Sequence, residues 1–312
     1  MQVAGFFHIS AGALVPEQLV HYVRSVSGRI PLLCGEYIAY LHEGHAVLVA
    51  YPGMEATLRE KSGPLCRDRS ACGTDWETPT GGAAPSLASA LAILRERCSE
   101  ITVIAPFRPS EAPADAISNR DCYWQIGLPP SEPGSKLRNI LRRAERDVAV
   151  QEDAWSPEHE SLVGHYLNTR SLRPGTRAIY ASLSSYAALG GDATHVAKVC
   201  LLSARMADGS LAGFTLGDLS GLSTAFYMFA FRDEKSPPGT ADLLLSNLMR
   251  RAAELGHERM NLGLGINSGI SFFKKKWHAS PLAAYIETSW SFNGSSSRGG
   301  LLSSLLRRFS GG

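Results

Sequence analysis

The reading starts at residues 255–278, LGHERMNLGLGINSGISFFKKKWH. A helix ends at Leu255-Gly256, and a short strand runs from Arg259 to Gly263. A turn holding Gly263, Gly265 and Gly269 follows, then the aromatic and basic run Phe272, Phe273, Lys274, Lys275, Lys276 and Trp277. Glycines after a strand let the backbone approach a ligand closely. Lysines at the start of a helix, beside exposed amides, suit an anionic group. The stretch therefore reads as part of a cleft.

Upstream, Thr240 caps a helix from Ala241 to Leu255, with Leu244, Leu245, Leu248, Ala252 and Leu255 turned inward. Before it comes a meander of three strands, 196–206, 210–219 and 222–231, the first turn carrying Asp208-Gly209, a good hairpin dipeptide. Downstream, residues 281–292 form a last strand. Further upstream PPSEPGS (129–135) is a linker, and Ser135 can cap the helix KLRNILRRAERD that follows. Leu137, Ile140, Leu141 and Ala144 make its inward stripe. Arg138, Arg142 and Arg146 recur every fourth residue and share another face. That face is either a solvated one, balanced by Glu145 and Asp147, or an anion-binding one directed at phosphate or RNA. Residues 155–172 and 179–189 read as helices joined by a basic turn with Arg170, Arg173 and Arg177.

The first part of the chain reads as a helix at 16–26, a hairpin at 35–51 around His42-Glu43-Gly44-His45, a helix opening at Ser86, and strands at 101–107 and 121–128. His42 and His45 read as turn residues. Residues 52–85, rich in Gly, Pro and Thr, form a long irregular connection. Hairpin, helix, strand, strand is an α/β layer.

Composition bounds the class. The 312 residues suggest about two domains, and 44% hydrophobic with 19% charged residues describes a soluble globular protein. A net charge of +2 neither demands nor excludes nucleic acid, since a local patch acts inside a neutral total. Cys34, Cys66, Cys72, Cys98, Cys122 and Cys200 show no CxxC and no metal-ligand spacing, so no metal is expected. Cys98, Cys122 and Cys200 read as reduced core thiols. The N-terminus lacks the basic region of a signal peptide. No run reaches the roughly 18 apolar residues of a membrane span. A cytoplasmic enzyme is the expectation.

The order β-β-β-α-β-α-β over the second half resembles the acyl-CoA N-acyltransferase fold of the GNAT superfamily. The resemblance narrows at residues 269–285, GISFFKKKWHASPLAAY, where Fem-type peptidyltransferases and related acetyltransferases of cell-envelope clusters carry a similar glycine, Phe-Lys, aromatic element before the last strand. The matching positions are Gly269, Phe273, Lys274 and Trp277; the family often has Gly after the aromatic, where His278 stands here. LRNILRRAERD resembles the arginine-rich helix that opens the second half of these proteins. The resemblance implies an α/β (α+β) protein of two tandem GNAT-like halves, mixed central sheets flanked by helices. A degenerate first half would span residues 1–128, a catalytic half 129–292 and a flexible tail 293–312.

The resemblance also implies a site. The donor would sit where the third meander strand parts from the next parallel strand, 222–231 from 259–263, whose backbone amides can serve as an oxyanion site. Tyr227, Asn261 and Lys274 are the candidate catalytic residues. Phe229, Gly239, Thr240, Ala241, Gly263, Asn267, Phe273, Lys276 and Trp277 are the candidate donor-binding residues, and Arg138, Arg142 and Arg173 the candidate substrate-binding ones. Asp233 and Glu234 are the nearest carboxylates. The implied donor is acyl-CoA or acetyl-CoA and the acceptor a small-molecule amine. One departure matters. The loop before the long helix is Lys235-Ser236-Pro237-Pro238-Gly239-Thr240-Ala241, and its prolines have no N–H for a pyrophosphate. An aminoacyl-tRNA donor is thus the alternative, and a catalytically silent, GNAT-like binding module a second one.

Overall fold

In the computed structural model, which describes residues 2–51, 87–191 and 197–293, eleven strands form one mixed sheet. The strands are β1 (Ile30–Cys34), β2 (Tyr37–His42), β3 (His45–Val49), β4 (Glu100–Ala105), β5 (Ile117–Gly127), β6 (Val148–Glu152), β7 (Val199–Met206), β8 (Leu211–Asp218), β9 (Thr224–Arg232), β10 (Arg259–Leu264) and β11 (Ser280–Ser291). Their order across the sheet is β1-β2-β3-β4-β11-β5-β10-β9-β8-β7-β6. The arrangement is nearly palindromic. β3 and β4 are parallel, β9 and β10 are parallel, and the antiparallel pair β11–β5 lies at the centre. β11, at the end of the chain, sits between β4 and β5 of the first half. β5, from the first half, sits between β10 and β11 of the second. Each half is thus completed by the other's last strand, and the chain is a tandem GNAT-like α+β protein.

Helices cover both faces: α1 (Gln2–Ala11), α2 (Val20–Ser27), α3 (Leu87–Arg95), α4 (Ser135–Asp147), α5 (Pro157–Thr169), α6 (Pro174–Ala181), α7 (Leu183–Ala188), α8 (Thr240–Glu254) and α9 (Ser268–Lys276). A buried cluster under α2 and α5–α7 runs from Tyr22, Tyr40 and Tyr51 to Phe214, Phe226 and Phe229, crossing both halves. On the opposite face α4 and α8 bury Leu137, Leu141, Leu244, Leu248 and Met249 with Trp277. A third cluster lies beneath α3. Polar contacts join the halves as well: His21 Nε2 lies 2.6 Å from Asp218 Oδ2, which also accepts the Tyr186 hydroxyl at 2.7 Å. Among the described residues, no helix is long and apolar enough to cross a membrane.

The second-half order β7-β8-β9-α8-β10-α9-β11 agrees with the sequence reading. Elsewhere the structure adds to it or differs from it. α1, β1 and β6 had no signal, the expected helix at 179–189 is broken into α6 and α7 around Ser182, and β5 begins at Ile117. His45, read as a turn residue, is instead the first residue of β3. It is buried, with Nδ1 3.2 Å from Arg29 Nη1 and Nε2 3.0 Å from Thr102 Oγ1, and burial pushes its pKa down to about 4. Cys34, Cys98, Cys122 and Cys200 are buried thiols, none in a disulfide. Cys66, Cys72, the connection at 52–85 and the tail beyond Asn293 lie outside the described residues.

α8 lies against the sheet because Gly217 on β8 leaves room for Leu248. A Cβ there would come within 2.5 Å of Leu248 Cδ1. Gly217→Ala should therefore cost about 1–3 kcal/mol by overpacking, read as a lower midpoint of denaturant unfolding.

Candidate functional site

β9 and β10 pair over three residues only: Arg259 with Thr224, Met260 with Ala225, and Asn261 with Phe226. β9 then continues to Arg232 against β8, while β10 turns away and rejoins β5 at Leu264, opposite Tyr123. From Tyr227 onward, no strand among the described residues pairs with β9 on its β10 side. The equivalent pair in the first half stays closed: β3 and β4 match from His45–Glu100 to Val49–Ile104, and Ala50 N–H extends the ladder to Ile104 O at 2.8 Å. One parallel pair is shut and the other open.

What holds the pair open is the turn after β10. Gly263 and Ile266 have φ of 75° and 52°, the second a rare conformation for a β-branched residue. Asp121 on β5 accepts the amides of Gly265 and Ile266, both at 3.0 Å, and that of Cys122 at 2.6 Å. From the other side Lys274 Nζ donates to the carbonyls of Gly263 at 2.8 Å and Leu264 at 2.5 Å. Lys274 is only 3% exposed. Burial drives its pKa down to about 7, against the opposing pull of Asp121. Asn261, also buried, donates Nδ2 to Leu14 O at 2.9 Å and accepts the Gly263 amide at 2.7 Å. Asn267 caps α9, its side chain accepting from the Ile270 amide at 2.9 Å. Lys274, Asn261, Gly263 and Asn267 are thus brought together, as parts of the scaffold of the turn.

The other end of α9 reaches α8. Trp277 Nε1 donates to Asp242 Oδ1 at 2.9 Å, and Lys276 Nζ lies 2.5 Å from the same oxygen and 5.1 Å from the centre of the Phe273 ring. His278, at the position where the resembling family often has Gly, has φ of 55°. A left-handed residue closes the helix there, and glycine meets that need without strain. Tyr227 faces the same side as α8. Burial and the Asp242 charge push its pKa well above the usual tyrosine range, so its hydroxyl stays protonated at neutral pH. Phe229 turns to the opposite face, 6.1 Å from the Tyr22 ring.

The first turn of α8 offers a small set of donors. Thr240 N–H is taken by Pro237 O at 3.2 Å, which leaves the amides of Gly239, Ala241 and Asp242. Gly239 has φ of 93° and is covered by Ile140, whose Cγ2 would lie 2.8 Å from an added Cβ. Beside this turn a groove of about 690 Å³ is lined by Lys136, Asn139, Ile140, Arg142, Arg143, Arg146 and Pro238. None of its four cations makes an ion pair among the described residues. The arginine stripe read from the sequence is therefore split. Arg142 and Arg146 line the groove, but Arg138 leaves it to donate to Pro133 O at 3.2 Å, with Glu132 at 3.7 Å. Arg173 lies apart, exposed at the N-terminus of α6. Asp233 accepts the Lys235 amide within its own loop, and Glu234 faces His165 on α5.

Sequence reasoning missed Asp121, Asp242, Lys136 and Arg143. Asp121 stands in DCYWQIGL, an aromatic strand in which a carboxylate needs a partner. That was a readable signal, although the partner, 144 positions away, was not.

The closed and open parallel pairs, the exchanged strands and the α9 element together define a GNAT-like fold of the tandem, Fem-type kind. No protein-family model matches the chain, and no curated protein matches it. Among solved structures it is similar to L-PGS from Bacillus licheniformis (13% identity, TM-score 0.58, 94% of this chain and 98% of that one). It is similar to the C-terminal domain (DUF2156) of a protein assigned as a lysylphosphatidylglycerol synthetase in Agrobacterium fabrum (15% identity, TM-score 0.56, 92% and 91%). It is also similar to FemX (12% identity, TM-score 0.51, 91% and 95%). At these identities the likeness is one of fold.

Lys274→Met should orphan the carbonyls of Gly263 and Leu264, at about 1–3 kcal/mol for each buried group left unpaired. The pH dependence carries its own sign. Lys274 releases its proton near pH 7 when folded and near 10.5 when unfolded, so the unfolded chain binds more protons between those values and its share of stability rises with pH across that window. Unfolding of the variant, followed at several pH values, should lack that rise.

Proposed function

We propose that this protein transfers an activated acyl group to a nucleophile, an amine in the first instance, by direct attack in the gap between β9 and β10. The observation that carries the reading is that this parallel pair is held open beyond Asn261 and Phe226 while its counterpart in the first half is closed. An open strand edge inside a sheet can bind an extended donor arm through its backbone. Its unpaired amides can polarise the donor carbonyl as charge builds on the oxygen. In this reading residues 129–292 carry the chemistry, residues 1–128 complete the sheet, and Tyr227 supplies a proton to the departing group.

Acyl-CoA fits in part. The amides of Gly239, Ala241 and Asp242 would meet its pyrophosphate at the positive end of α8. Lys276, held by Asp242, stands close by, and Phe273 and Trp277 border the arm. A second reading, aminoacyl-tRNA, is favoured by the groove of Lys136, Arg142, Arg143 and Arg146 against Pro238. Four cations in a row exceed what one pyrophosphate needs, and they suit a phosphate backbone.

Calorimetry with acetyl-CoA, longer acyl-CoAs and charged tRNA separates these readings. Acyl-CoA binding should be lost when Gly239→Val blocks the α8 turn. The tRNA reading requires binding that weakens steeply with salt, with a slope reduced by about 1.4–1.8 in an Arg142→Ala, Arg143→Ala double variant. Absence of binding and turnover with every donor would leave a non-catalytic module.

A further inference from the structure

The two faces of the gap are not equally open. On the α2 face Leu14, Tyr22, Tyr123, Phe226, Asn261 and Leu264 are all buried. On the α8 face Tyr227, Gly263, Phe273 and Lys276 are each partly exposed. An ion pair lies across that entrance. α8 covers β9 and α9 follows β10, and Asp242, in the first turn of α8, joins the two helices. Its Oδ1 accepts Lys276 Nζ at 2.5 Å and Trp277 Nε1 at 2.9 Å. Tyr227, the first residue of the unpaired stretch of β9, is close enough to Asp242 for that charge to raise its pKa. Tyr227 and Phe273 pack on the same cluster as Trp277. The pair is therefore part of the lining of the entrance.

Its two members differ in freedom. The Asp242 side chain is 8% exposed and that of Lys276 24%. The carboxylate is fixed by Trp277 and by its place at the positive end of α8. The ammonium ends a flexible four-carbon stem that reaches water. The carboxylate also stands on the same turn as the amides of Gly239, Ala241 and Asp242, to which a phosphate would be drawn. A phosphate arriving there meets a negative charge, and a cation that is already taken.

We propose that Asp242 and Lys276 form a latch that selects donors by their phosphate. In the free chain the Asp242 carboxylate stands in for that phosphate and holds Lys276 across the entrance. A donor with phosphate beside its acyl arm draws Lys276 onto its own oxygens, and Asp242 keeps the bond to Trp277. The inference rests on the acyl-transfer reading and adds to it how the donor is admitted. Lys276 touches the donor, and Asp242 is a positioning residue that acts through it. Charge balance supplies the selectivity. Asp242 and Lys276 together are neutral, so the pair by itself attracts no anion. A donor with a single negative charge exchanges one carboxylate for an equivalent anion and gains little, whereas closely spaced phosphate charges gain more from the same ammonium. The diphosphate of an acyl-CoA and the successive phosphates of an RNA strand share that chemistry.

Binding of inorganic diphosphate, CoA and tRNA to the full chain, together with amine labelling of its lysines, tests the latch. Asp242→Asn keeps an acceptor for Trp277 and leaves the pair with a net positive charge. It should tighten diphosphate binding about tenfold, whereas loss of a merely structural contact would not tighten it. Adding Lys276→Met restores neutrality and should return the affinity to about that of the wild type. A gain shared by CoA assigns the phosphate to a diphosphate donor, and a gain shared by tRNA but not CoA assigns it to RNA. With acetic anhydride, Lys276 of the wild type should react more slowly than the exposed Lys275, and in Asp242→Asn the two should react alike. Unchanged or weaker diphosphate binding in Asp242→Asn, a gain shared by neither CoA nor tRNA, a gain that survives Lys276→Met, or equal labelling of Lys275 and Lys276 in the wild type would overturn the proposal. Turnover with no donor, while affinities and labelling behave as expected, would instead overturn the acyl-transfer reading.

Discussion

Two side chains, the half-buried carboxylate of Asp121 and the buried amine of Lys274, grip one turn from its two sides, and the openness of the sheet follows from that grip. Asp121 accepts three backbone amides and Lys274 donates to two backbone carbonyls. Hydrogen bonds to charged groups contribute about 1.5–3 kcal/mol each, whereas a non-glycine residue in the left-handed region costs about 1–3 kcal/mol. The grip therefore outweighs the strain at Ile266. Without it, Leu262 to Leu264 would be free to run on along β9, as β4 runs along β3. The proposed gap is thus a consequence of backbone polar groups having better partners elsewhere.

The same turn also shows why the two halves cannot be treated as independent. Asp121 comes from β5, a strand of the first half, and it acts on a turn of the second. Asn261 reaches in the other direction, to Leu14. The exchange of β5 and β11 makes these contacts possible by placing a foreign strand on the far side of β10. Cutting the chain between the halves would remove a wall of the opening as well as a stretch of buried core.

Much of this was legible in the sequence, unevenly. The second half reads clearly because local signals agree: Asp208-Gly209 marks a hairpin, the leucines of α8 recur at helical spacing, and Gly256 closes that helix with φ of 87°. The position of the parting near Asn261 came from the resemblance, and the pairing of β9 with β10 stops at that residue. What sequence could not give was the partner of each polar group. Lys274 reads as a cleft cation suited to an anionic group, but the helix turns it inward onto the carbonyls of Gly263 and Leu264 while Lys275 stays exposed. Arg138 shares a periodicity with Arg142 and Arg146, yet a nearby carbonyl and carboxylate draw it away. α1 lacks a capping residue and a charged face, and β1 and β6 are short edge pieces fixed by their neighbours, so local pattern was silent on all three.

The two faces of the opening differ in kind. The α8 face carries Lys136, Arg142, Arg143, Arg146 and Lys276 and, in the proposed reaction, would receive a polyanionic donor. The α2 face is aromatic and aliphatic, with Tyr22, Phe226 and Phe229 buried in it. Burying a polyanion against that face would cost the desolvation of its charge with no cation to offset it, so in the proposed reaction the donor would enter from the α8 side alone.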